Sequence, residues 1–110
     1  MEATQDIKTL QDKIVNTLIR EYKPDRIILY GSQVCGIPDQ VSDIDLLIIK
    51  DSQASPYQRV VQVRRLLRDP KRRIPVDLLV ITPGELKERL ERGDQFLQTI
   101  MSRGEVLYAA

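Results

Sequence analysis

Residues 29–49, LYGSQVCGIPDQVSDIDLLII, join two apolar runs through a turn-rich segment, and the second run carries Asp43 and Asp45 at its start. A strand alternates its side chains, so two aspartates spaced by two leave the same face while Ile44 points the other way. Carboxylates in such a run are costly unless hydrogen-bond donors, a basic side chain or a metal ion pairs with them. Left alone they repel each other, and their pKa values rise.

The flanks place this segment in a fold. From Thr4 to Tyr22, Ile7, Leu10, Ile14, Leu18 and Ile19 recur at helical spacing, and Pro24 disfavours helix at Lys23. RIILY (26–30) reads as a short buried strand and DIDLLIIK (43–50) as a second. Pro56 to Arg68 reads as a helix with Val60, Val63, Leu66 and Leu67 inward and Arg59, Arg64, Arg65 and Arg68 elsewhere. IPVDLLVI (74–81) is a third strand. TPGE (82–85) opens a helix, with Thr82 as cap, Pro83 in the first turn and Glu85 reaching back. Asp94 caps another helix, with Phe96, Leu97, Ile100 and Met101 inward and Gly104 as its terminator, and EVLY (105–108) is an edge strand. The order α-β-turn-β-α-β-α-α-β predicts a small α/β (α+β) fold, a mixed β-sheet flanked by helices, in one domain over residues 1–110.

Composition narrows the chemistry. No histidine is present, which removes Ser-His-Asp triads, histidine general bases and His-ligated zinc. The single cysteine, Cys35, reads as a small apolar filler, since a catalytic thiol would have no base here. It can form no internal disulfide, which fits a reducing, cytoplasmic setting. No apolar run approaches a membrane span, and MEATQDIKTL does not read as a signal peptide. Lys+Arg 17 against Asp+Glu 16 argues against a general nucleic-acid binder. The cationic series from Arg64 to Arg73 reads first as a solvated helix face and loop, with an acidic partner as the alternative.

Two phosphate-binding motifs are excluded. Gly31 and Gly36 have the G-x-x-x-x-G spacing, but Ile37 and Pro38 stand where a P-loop needs Lys and Ser/Thr, and no G-x-G-x-x-G is present. A third carboxylate, Asp77 in PVDLLV, would lie beside Asp43 and Asp45 on an adjacent strand. Three carboxylates can hold two Mg²⁺ ions roughly 3.5–4 Å apart, the clamp that serves phosphoryl and nucleotidyl transfer. Gly31 lets the backbone approach a phosphate, and Ser32 adds an N–H and a hydroxyl. The nucleotide-binding candidates are therefore Gly31, Ser32 and Ser42. The metal and catalytic candidates are Asp43, Asp45 and Asp77. The bland alternative is a capped turn followed by solvent-facing strand residues.

GS at 31–32, ten residues, then DID at 43–45, with Asp77 in VDLLV, resembles the signature of the polymerase β-like nucleotidyltransferases, and specifically the minimal nucleotidyltransferases. The resemblance spans nearly the whole chain and implies that family's core. It implies that Gly31 and Ser32 hold a triphosphate, that Asp43 and Asp45 ligate Mg²⁺, and that Asp77 ligates one ion and helps activate the acceptor. It further implies ATP as substrate, AMP as the group moved, and a tyrosine of a HEPN-type RNase toxin as acceptor, the protein acting as antitoxin. Many such relatives carry basic residues where this chain has Gln33, Val34 and Cys35. That departure motivates an alternative, a module that neutralises its partner by contact alone. Self-association is left open.

Overall fold

The segment IDLLII forms one of the two inner strands of the sheet, and both of its faces are covered. The computed structural model describes residues 7–31, 43–72 and 74–110. In order these form α1 (Ile7–Glu21), β1 (Arg26–Tyr30), β2 (Ile44–Ile49), α2 (Pro56–Leu66), β3 (Val76–Ile81), α3 (Pro83–Glu91), α4 (Gln95–Arg103) and β4 (Glu105–Ala109). The sheet runs β3-β2-β1-β4. β2 pairs antiparallel with β1 and parallel with β3, and β4 closes the other edge antiparallel to β1. The parallel pair requires a crossover, which α2 supplies. The expected mixed sheet flanked by helices is thus the observed fold.

Alternation along the strands sorts the core into two layers. Ile27, Leu29, Ile44, Leu46, Ile48, Val76 and Val80 face α1 and α2, where Leu10, Ile14, Leu18 and Val63 pack on them. Ile28, Leu47, Ile49 and Ile81 face the opposite way, under Leu86 of α3 and Leu97 and Ile100 of α4. A strand roofed on both sides reads as a continuous apolar run rather than an alternating one. Only Asp45 interrupts that run in β2.

The termini of the elements follow local chemistry. Lys23 turns left-handed after α1 (φ 56°), with its N–H and that of Tyr22 both donating to the Leu18 carbonyl at 2.9 Å, and Pro24 prevents the helix from resuming. Ser55 and Thr82 cap α2 and α3 with reciprocal bonds from Gln58 and Glu85, the second as the sequence predicts. Asp94 accepts from the Leu97 N–H at 3.0 Å to cap α4.

Two expectations are corrected. Arg59, placed outward by helical spacing, is 1 % exposed, and its Nη2 donates to both carboxylate oxygens of Glu85 at 2.9 Å. Phe96, placed inward, is 54 % exposed. Gly104 closes α4 as expected, its N–H donating to the Ile100 carbonyl at 2.7 Å, and its φ is an ordinary −67°. The glycine is needed there for space. A Cβ would lie 2.5 Å from the Ile100 carbonyl oxygen and 2.6 Å from Ile28 Cγ2. Gly104→Ala is expected to cost about 1–3 kcal/mol by overpacking, seen as a lower urea midpoint at unchanged slope.

Candidate functional site

Among the described residues, the two-layer arrangement leaves one end of the sheet open. Asp45 is in phase with Leu47 and Ile49, and Asp77 with Leu79 and Ile81, so both belong to the face roofed by α3 and α4. The helices cover Leu47, Ile49 and Ile81 but stop short of the aspartates. Asp77 is exposed, and Asp43 and Asp45 are partly so.

Register then brings the groups together. Tyr30 of β1 stands opposite Asp45 of β2, and Asp45 stands opposite Asp77 of β3, giving a transverse row across three strands. Asp43 lies two residues before Asp45, just ahead of β2. A hydrogen bond with Asp77, then burial and the Asp77 charge, raise the Asp43 pKa above the usual carboxylate range. Asp45 is pushed up to about 6, by burial first, then by the Asp77 charge, a hydrogen bond to Asp77 and the Asp43 charge. Tyr30 is raised as well, by burial and then by the charges of Asp45 and Asp77.

Gly31 completes the geometry. Its φ of 82° lies in the left-handed region, and a side chain there would run into Oδ2 of Asp45, with Asp45 Cγ only 3.1 Å from the Cβ position. Ser32 and Ser42 lie outside the described residues, as do Gln33, Val34, Cys35, Gly36 and Arg73. Tyr30 was not singled out from the sequence. Its place directly before Gly31 is the signal that the sequence offers.

These residues fit a divalent cation. Among the described residues no lysine or arginine pairs with Asp43, Asp45 or Asp77, so their mutual repulsion is uncompensated within the described chain. Nor, among the described residues, do three such groups form a ready-made metal cage. The aspartates meet in pairs through Asp77. An open, oxygen-only donor set suits Mg²⁺, which is usually held by one or two carboxylates together with substrate phosphates. No helix among the described residues is long and apolar enough to cross a membrane.

Known proteins agree with this architecture. The family model described as polymerase β, nucleotidyltransferase matches residues 12–110. No curated protein matches the sequence. Among solved structures, a candidate nucleotidyltransferase from Sulfolobus solfataricus superposes with a TM-score of 0.62 at 21 % identity. That likeness covers 92 % of this chain and 78 % of the other, and at this identity it speaks to the fold.

The carboxylate row has a measurable signature. A carboxyl whose folded pKa exceeds its unfolded value binds more protons in the native state, so stability falls as pH rises between the two values. For Asp45 that window runs from the ordinary value of 3.8 to about 6. Asp45→Asn is expected to remove most of this slope. It should raise stability at pH 7 by about 1–2 kcal/mol, a figure already reduced for solvent screening, as read from urea unfolding in metal-free buffer.

Proposed function

The chain belongs to the polymerase β nucleotidyltransferase family, and on that premise we propose that it moves AMP from ATP onto a hydroxyl of a partner protein. The acceptor in this reading is a tyrosine of a HEPN-type toxin, and the transfer is what makes the protein an antitoxin. The observation that carries the transfer chemistry is the in-register row of Asp45 and Asp77, joined by Asp43 and bordered by Gly31. The antitoxin role, the adenine nucleotide and the toxin partner rest on the motif resemblance.

Asp43, Asp45 and Asp77 would hold two Mg²⁺ ions, whose charge would offset both the carboxylate repulsion and the charge that develops on the phosphates. The chain's own residues supply position. Gly31, lacking a Cβ, leaves room for the Asp45 carboxylate and for a phosphate against the backbone. Asp77 stands exposed at the outer end of the row, where an acceptor hydroxyl can reach it and give up its proton. The acceptor oxygen forms a bond to the α-phosphorus, the bond from that phosphorus to the bridging oxygen breaks, and pyrophosphate leaves with the electron pair. Holding the acceptor in line with that departing oxygen is the main catalytic demand.

Intact-mass spectrometry tests the reading directly. The protein, ATP, Mg²⁺ and the product of the neighbouring gene are expected to give a partner heavier by one or more AMP groups. Asp43→Asn combined with Asp45→Asn should abolish the gain while the circular dichroism spectrum stays native. Full transfer by the double variant would sink the assignment of these aspartates. A stable complex with no mass gain would favour neutralisation by contact.

A further inference from the structure

Next to Gly31, α4 leans over the end of β1 and leaves a cavity of about 220 Å³. Tyr30 and Gly31 form one side of it, and Phe96, Thr99 and Arg103 form the other. The Tyr30 and Phe96 rings meet edge to face, with centroids 5.7 Å apart and planes at 87°. Phe96 is nevertheless 54 % exposed, an unusual position for a phenylalanine whose neighbours Leu97 and Ile100 are buried.

We infer that this cavity receives the base of the nucleoside triphosphate whose phosphates lie at the aspartates. The inference rests on the transfer reading and adds to it the subsite that holds the ring. Position supports it first, because Gly31 borders both the cavity and the Asp45 carboxylate, so a ligand with phosphates at one can place its other end in the second. Size supports it as well. Sites that enclose a whole drug-sized ligand measure about 300–1,000 Å³, and the smaller space here suits a single ring system. The lining chemistry is right too, since an aromatic surface stacks any base through its π-face. Arg103 is exposed on the same lining and makes no ion pair among the described residues, which leaves a cation free to face the ligand.

A larger space is excluded on geometry. The groove of about 560 Å³ beside α2 is lined by Arg64, Arg65, Arg68 and Arg72 over Val76 and Leu78. Val76 and Leu78 belong to the layer facing α1 and α2, on the opposite side of the sheet from Asp45 and Asp77. A base bound there could not share a nucleotide with the carboxylate row.

The test compares ATP with inorganic tripolyphosphate, each with Mg²⁺, by isothermal titration on the full chain. Phe96→Ala is expected to weaken ATP about tenfold or more, the usual worth of one stacked base, and to leave tripolyphosphate unchanged. The chain contains no tryptophan, so Phe96→Trp places a single indole in the cavity. That variant should retain ATP binding, with its fluorescence quenched by ATP and not by tripolyphosphate. ATP affinity that ignores Phe96→Ala, or equal losses for both ligands, would overturn the base subsite alone. A wild-type chain that binds neither ligand would overturn the transfer reading and this inference with it.

Discussion

Everything at the candidate site depends on β2 being buried from two sides. A strand in that position must be apolar at every residue the helices cover, and Ile44 and Leu46 to Ile49 meet that demand. Asp45 is tolerated only because α3 and α4 end their coverage before reaching it. The same parallel register that pairs Leu47 with Leu79 and Ile49 with Ile81 pairs Asp45 with Asp77. Packing therefore fixes the carboxylate spacing. A one-residue slip of β3 would turn its apolar side chains to the wrong layer before it separated the two aspartates.

β3 is the exposed edge of the parallel pair, and an uncommon device steadies it there. Arg59 lies on α2 and Glu85 on α3, helices on opposite faces of the sheet, and their ion pair borders a cavity beside Leu79, Val80 and Ile81. Glu85 also accepts from the Thr82 N–H at 3.0 Å, so one carboxylate caps α3 and ties the two layers together. Burial pushes the Glu85 pKa up, but the Thr82 N–H and the Arg59 guanidinium outweigh it and hold the carboxyl below its ordinary value. Arg59 Nε is buried without a partner among the described residues. The pair therefore works as a clamp whose net contribution to stability is small, because desolvating a guanidinium offsets most of its attraction. Its structural effect is to hold the C-terminal end of β3 while the aspartate end stays open.

Most of the fold is legible in the sequence because its signals are local. Pro24, Pro56 and Pro83 mark boundaries, the capping residues Thr82 and Asp94 stand where helices begin, and short β-branched runs mark strands. Arg59 and Phe96 escape that reading because neither is decided by its own helix. Arg59 is buried by a carboxylate 26 residues further along the chain. Phe96 is drawn to the Tyr30 ring at the open end of the sheet instead of to the core. Helical periodicity reports which face points inward, and it cannot report a partner that pulls a residue off that face.

The candidate site is legible to a different depth. DID and VDLLV announce three carboxylates, but only strand order makes them neighbours, since β1, β2 and β3 need not have been adjacent. Once they are, their electrostatics sets them apart from ordinary surface carboxylates. Carboxylates that serve only solubility spread apart in solvent, and those that serve structure acquire a cation, as Asp94 does with Arg89 at 3.0 Å. Asp43 and Asp45 do neither among the described residues, and both pKa values are raised, that of Asp43 first by its hydrogen bond with Asp77 and that of Asp45 first by burial. A fold that could have placed a leucine at Asp45 instead retains a destabilising acid beside two others. On the proposed transfer reading, Mg²⁺ would supply the positive charge that offsets this cost, and Gly31 would leave room for the phosphates that come with it.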